Sequence, residues 1–88
     1  MRLIWSKRAW EDYLHWQQHD PNTLKRVNNL IKECQRDPFN GTGKPEPLRE
    51  NLKGWWSRRI TGTDRLVYRV SGKDADQTLE IAQCRYHY

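Results

Sequence analysis

The stretch "WWSRRITGTDRLVYRV", residues 55–70, decides the fold. Trp56, Arg58 and Ile60 alternate with Trp55, Ser57 and Arg59, and Leu66, Tyr68 and Val70 alternate with Arg65, Val67 and Arg69. Period-two alternation sends successive side chains to opposite faces of a strand. Between the two runs lies "TGTD", a hairpin signal. The spacing therefore predicts strands over 55–60 and 65–70. Beyond the looser turn "SGKDADQ", the run "TLEIAQCRY" (78–86) reads as a last strand. Its alternation groups Leu79, Ile81, Gln83, Arg85 and His87 against Glu80, Ala82, Cys84, Tyr86 and Tyr88.

Upstream the period changes. "RLIW" (2–5) is a short apolar run read as strand, and Ser6 follows as an N-cap. Ala9, Trp10, Tyr13, Leu14 and Gln17 fall at helical spacing, which predicts a helix over 7–19. Asp20-Pro21 is a restart signal, because Asp caps and Pro suits the first helical position. Leu24, Val27, Leu30, Ile31 and Cys34 form a stripe of period 3.6 that ends near Arg36, before Asp37-Pro38. "NGTGKPEP" (40–47) is rich in Gly and Pro and reads as loop. The expected fold class is α+β in the order β-α-α-β-β-β. A helical hairpin packs on one face of a small antiparallel sheet. No repeat, linker or second domain is visible, so residues 1–88 read as one domain.

Composition bounds what this domain can do. Eighty-eight residues bury roughly 60–70% of the surface exposed by the unfolded chain. With 35% hydrophobic residues and a mean hydropathy of −1.13, five Trp and four Tyr must supply much of the core. The net charge of +5 and pI of about 9.5 favour an anionic partner. No apolar run approaches the ~18 residues of a membrane span, and "MRLIW" is too short for a signal-peptide core. Cys34 and Cys84 lie far apart in apolar patterns, and His15, His19 and His87 have no metal-ligand spacing with them. The expectation is a reduced, cytoplasmic protein without metal or cofactor.

One sheet face must meet the helices; the other is left to arginines and aromatics. Guanidinium groups pair with phosphates and aromatic rings stack on bases, so such a face suits RNA. Alternating arginines on a solvated strand are also ordinary, since edge charges discourage aggregation. Glu46 stands between two prolines in "KPEPL", a stiff setting for a carboxylate; it also fits an unremarkable exposed loop. Taken together, Glu46 can accept a proton, Arg59 and Arg65 can hold a phosphate, and the imidazole of His87 can donate a proton. Cleavage of RNA through its own 2′-hydroxyl calls for such parts: a base, cations for the crowded phosphorane and an acid for the departing 5′-oxygen.

"LIWS" (3–6), "DPFNGTGKPEPLRENLKGWWSRRITGTDRLVYRV" (37–70) and the terminal "CRYHY" (84–88) resemble the YoeB/Txe toxins of the RelE superfamily. The likeness covers essentially the whole chain. It implies a compact microbial-RNase-like α+β fold. The implied function is that of a type II toxin–antitoxin toxin, a metal-independent endoribonuclease that cuts messenger RNA in the ribosomal A site. By the resemblance, Glu46 matches the general base, Arg65 the phosphate-stabilising arginine, His87 the penultimate histidine proposed as acid, and Tyr88 the residue that orients the RNA. Arg59 matches a further phosphate contact, and Lys44, Arg49 and Arg58 join it as candidate RNA-binding cations. Two departures stand away from these positions: "SGKDADQ" is longer than usual, and Trp55 sits where another aromatic is common. The implied partners are a YefM/Axe-type antitoxin with an acidic tail, the ribosome and its RNA, and operator DNA through the antitoxin complex. Some members form homodimers. The resemblance also implies that an extension past Tyr88 harms activity. Two other readings stay open at this point. One is a basic module that blocks the ribosome, or represses an operon with an antitoxin, without cutting; the other is a nuclease that acts without the ribosome.

Overall fold

The computed structural model describes residues 1–88. Strand β1 (Arg2–Trp5) leads into helix α1 (Lys7–His19) through Ser6, whose hydroxyl accepts the Ala9 N–H at 3.0 Å. Asp20 serves two helices. Its own N–H donates to the Trp16 carbonyl at 2.9 Å, closing α1, while its carboxylate accepts the Thr23 N–H at 3.1 Å, opening helix α2 (Pro21–Arg36). Helix α2 buries Val27, Leu30, Ile31 and Cys34, the stripe read from the sequence. Both helices begin and end where their caps predict.

The remaining strands are β2 (Glu46–Pro47), β3 (Trp56–Arg59), β4 (Arg65–Ser71) and β5 (Thr78–Gln83), in one sheet of order β1-β5-β4-β3-β2. The helices cover the face bearing Leu66, Tyr68, Leu79 and Ile81, which with Val27, Leu30, Ile31, Cys34 and Cys84 form the core. Three features differ from the sequence expectation. First, the sheet is mixed rather than antiparallel: β1 runs parallel to β5, with Arg2 opposite Thr78 and Trp5 opposite Ile81. A parallel pair can be joined only by a long crossover. Here everything from α1 to β4 supplies it, and four residues of local pattern carry no sign of that distant partner. Second, residues 40–47 are not all loop. Glu46 and Pro47 form the edge strand β2, opposite Ser57 and Trp56 of β3. Proline is tolerated there because an edge strand leaves one side of its backbone unpaired.

Third, the last strand stops at Gln83, and a bulge precedes the stop. Tyr68 lies opposite Ile81 but Val67 lies opposite Gln83, so Ala82 is the extra residue. The parity of the strand flips there. Ile81 and Cys84 both point into the core, while Gln83 joins Val67 on the other face. The simple alternation that grouped Gln83, Arg85 and His87 with Leu79 is corrected accordingly. Helix α1 satisfies the backbone that the sheet releases. Cys84 N–H donates to Asp12 Oδ2 at 3.1 Å, and Trp16 Nε1 donates to the Cys84 carbonyl at 2.7 Å.

Arg58 is buried on the helix-facing side, fully out of solvent. Its Nε donates to Tyr68 Oη at 3.2 Å, Nη1 to Thr42 O at 3.1 Å, and Nη2 to Asp37 O at 2.6 Å and Asn40 O at 2.9 Å. Glu33 lies 3.5 Å from Nη1 and itself accepts the Thr42 N–H at 2.9 Å. Tyr68 completes the clasp by donating to Pro38 O at 2.6 Å. The loop from α2 to β2 is thus wound around one guanidinium. Its closeness requires glycine at Gly43 (φ +87°), where a Cβ would stand 3.1 Å from the Arg59 carbonyl and 3.2 Å from Leu30. As a candidate RNA contact, Arg58 is corrected: its donors are spent on loop carbonyls and no part of it reaches the open face.

Candidate active site

Paired residues in a sheet share a face, so the register lays out the site. One row across the face turned away from the helices runs Glu46, Ser57, Val67, Gln83, of which Glu46 is exposed and the other three are buried. The neighbouring row toward the hairpin holds Arg59 opposite Arg65. On the other side, Arg69 is bridged to Glu80 at 3.0 Å and lies 4.5 Å over the Trp55 ring. Arg59, Arg65, Arg69 and Trp55 thus rim this face around a largely buried central row whose single carboxylate is Glu46.

The "KPEPL" segment delivers that carboxylate. Strand β2 pins Glu46 beside Ser57, and Leu48 N–H extends the ladder to Trp55 O at 2.9 Å. The Glu46 side chain is exposed. It lines a pocket of about 660 Å³ with Pro47, Leu48, Arg49, Glu50, Leu52 and Tyr88. Arg65 sits at the start of β4, half-buried, and all three of its guanidinium contacts use Nη1: Thr61 O at 2.8 Å, Asp64 O at 3.0 Å and Gly62 O at 3.3 Å. The hairpin loop holds one tip of the fork. Arg59 is exposed, and its backbone is fixed by Gly43 O at 2.7 Å and by Arg26 Nη2 at 3.0 Å.

The C-terminal segment turns back after the bulge. Tyr86 has φ +65°, its N–H donates to Asp64 Oδ1 at 2.7 Å, and its carbonyl accepts Arg65 N–H at 3.0 Å. His87 and Tyr88 follow, exposed, with rings stacked 4.8 Å apart and His87 Nδ1 2.9 Å from the Tyr88 carbonyl.

Of the residues singled out from sequence, Glu46, Arg49 and Tyr88 meet in one pocket, with His87 stacked on Tyr88. Arg59 and Arg65 form the adjoining cationic row. Lys44 is exposed on the loop before β2 and does not line the pocket, and Arg58 lies beneath the sheet. Residues that sequence reading missed hold these in place: Asp64, Gln83, Asp12 and Trp16. Only Asp64 had a local signal, as the Asp closing a "TGTD" turn. Neither thiol is a nucleophile. Burial pushes Cys34 up to about 11 and Cys84 up to about 12, and both are free. No helix is long and apolar enough to cross a membrane.

Residues 5–88 match the family model of the YoeB-like toxin of bacterial type II toxin–antitoxin systems. The chain is 57% identical to Toxin YoeB of Escherichia coli K12 over 88 residues, all of both chains. It superposes on the YoeB/ParE toxin from Agrobacterium tumefaciens with a TM-score of 0.98 at 50% identity, covering 100% of both. A Staphylococcus aureus YoeB is 43% identical. It has been solved as a dimer (TM-score 0.88) and in a heterotetrameric YoeB–YefM complex (TM-score 0.87), each match covering 100% of this chain and 98% of that one. The architecture is that of the RelE-like α+β toxins. Within that class, the chain belongs to the YoeB toxin family of type II toxin–antitoxin systems.

Proposed function

We propose that this toxin is a ribosome-dependent endoribonuclease that cuts messenger RNA in the A site. The observation that carries the reading is the pocket shared by Glu46 and Tyr88, flanked by the Arg59–Arg65 row. In the reaction Glu46 removes the 2′-proton of a ribose, and the 2′-oxygen attacks the adjacent phosphorus. The phosphorane gathers negative charge, which Arg65 and Arg59 stabilise. The bond to the 5′-oxygen breaks and that oxygen takes a proton from His87, leaving a 2′,3′-cyclic phosphate and a 5′-hydroxyl. Tyr88 offers a ring for stacking a base, worth about 1–3 kcal/mol. Arg49 and Lys44 add charge for the RNA backbone. Nothing in this proton inventory calls on a metal.

The partner reading follows from the Staphylococcus aureus complex: an antitoxin of the YefM type binds this chain, and an acidic antitoxin segment complements a net charge of +5. Self-association into a dimer is proposed on the same relative's dimer. Residues 1–88 work as one domain in the cytoplasm, where ribosomes are.

Primer extension on ribosomes carrying a defined message tests the reading, with wild type beside Glu46→Ala. A break in the A-site codon made by wild type alone supports it. Arrest by both proteins with no new RNA 5′ end overturns it in favour of a basic module that blocks without cutting.

A further inference from the structure

Tyr86 is an aromatic residue in the left-handed region, at φ +65°. Side chains with a Cβ avoid that region unless their surroundings hold them there. The holding contacts converge on Asp64. Its Oδ1 accepts the Tyr86 N–H at 2.7 Å, and its Oδ2 accepts the Thr61 hydroxyl at 2.7 Å. Its own N–H donates back to Thr61 Oγ1 at 3.0 Å, and its carbonyl accepts Ile60 N–H at 3.0 Å and Arg65 Nη1 at 3.0 Å. The next residue, Arg65, donates its N–H to Tyr86 O at 3.0 Å. One short turn therefore grips both the candidate phosphate-binding arginine and the segment that carries His87 and Tyr88.

We infer that Asp64 is a positioning residue: its carboxylate locks Tyr86 in the left-handed turn and so aims His87 and Tyr88 at the Glu46 pocket. The inference rests on the ribonuclease reading above for the use made of the aimed residues, but not for the aiming itself. Charge makes the bond to Tyr86 N–H strong, because a carboxylate acceptor roughly doubles a neutral hydrogen bond. The other holds on Tyr86 are weaker. Its carbonyl takes the neutral Arg65 N–H at 3.0 Å and Gln83 Nε2 at 3.4 Å, and the Arg85 guanidinium lies 4.4 Å over its ring. Asp64 also sits where sheet pairing has ended, since β5 closes at Gln83, and its Oδ1 is the acceptor of the Tyr86 N–H.

The test compares wild type, Asp64→Ala and Asp64→Asn as full-length, ¹⁵N-labelled proteins. Amide order parameters are read at Tyr86, His87 and Tyr88, Tm is read alongside, and cleavage is measured on programmed ribosomes. In Asp64→Ala the three order parameters fall below about 0.6. Its kcat drops about 10²-fold with little change in KM, as for a misplaced catalytic group. Asp64→Asn recovers part of both, because its amide oxygen still accepts the Tyr86 N–H, without the charge. Unchanged order parameters in Asp64→Ala overturn the inference. So do equal losses in Ala and Asn that simply follow Tm. Loss of order in Ala and its partial return in Asn, with no cleavage by any of the three proteins, upholds the aiming role and removes the ribonuclease reading instead.

Discussion

The indole Nε1 of Trp16 donates to the carbonyl oxygen of Cys84 at 2.7 Å. Helix α1, not the sheet, thus holds the chain as it leaves β5 for the candidate site. Trp16→Phe keeps most of the buried ring but leaves that carbonyl without its donor. The expected loss is about 1–3 kcal/mol, the cost of an unsatisfied buried group. Urea denaturation measures it, and a change under 0.5 kcal/mol would show that the bond is dispensable.

Asp12, one turn earlier, accepts the Cys84 N–H from a buried position. Burial raises its pKa above the usual carboxylate value, only partly offset by the Cys84 N–H and the charges of Arg8 and Arg85. The folded state therefore binds this proton more tightly than the unfolded one, and the stability contributed by that proton is lost as pH rises through the folded pKa. Asp12→Asn keeps an acceptor and removes the charge. Unfolding free energies between pH 4 and 7 should show wild type losing ground to Asp12→Asn as pH rises; parallel curves would contradict this.

Arg58 carries the loop that leads to Glu46, through the carbonyls of Asp37, Asn40 and Thr42. Truncation to Met strands those carbonyls, the Tyr68 hydroxyl and the Glu33 carboxylate. A loss of about 3–5 kcal/mol is expected, as for breaking one partner of a buried charged network. Lysine should not rescue, since a point charge cannot span acceptors set around a planar fork. Thermal unfolding of Arg58→Met and Arg58→Lys checks both statements; near-wild-type Tm in the Lys variant would refute the second.

Arg65→Lys separates anchoring from charge. The wild-type guanidinium spends Nη1 on the Thr61, Gly62 and Asp64 carbonyls. Its remaining donors can face a phosphate. An ammonium cannot do both, so cleavage should fall about 10²–10³-fold while ribosome binding changes little. Equal losses in binding and cleavage would assign Arg65 to docking rather than to the reaction.

What was legible in the sequence was local. Ser6 and Asp20 cap the helices they announce, and the Val27–Leu30–Ile31–Cys34 stripe is buried as its period requires. Alternation already put Arg58 beside Trp56 and Ile60, on the side that became the core. Charge alone suggests an RNA contact for Arg58, but the face it occupies assigns it to the core. What stayed hidden was non-local. The parallel pairing of β1 with β5, the β2 edge pairing and the Ala82 bulge depend on partners far along the chain. The two prolines of "KPEPL" pointed to Glu46, and the resemblance of "CRYHY" gave Tyr88 its role. Spacing alone could not bring them into one pocket, because a bulge and a left-handed Tyr86 intervene.

The pairing of β1 with β5 also bears on birth order. Arg2 cannot meet Thr78 until almost the whole chain has been made, and β5 lies between β1 and β4 in the sheet. Non-local pairings of this kind fold late and slowly. During translation the first strand and both helices emerge with no sheet to cover, and the hairpin follows with one flank open. The sheet closes only after Gln83 has cleared the exit tunnel. Before that, Arg2–Trp5 has no strand to pair with, so the first strand made is among the last to be placed.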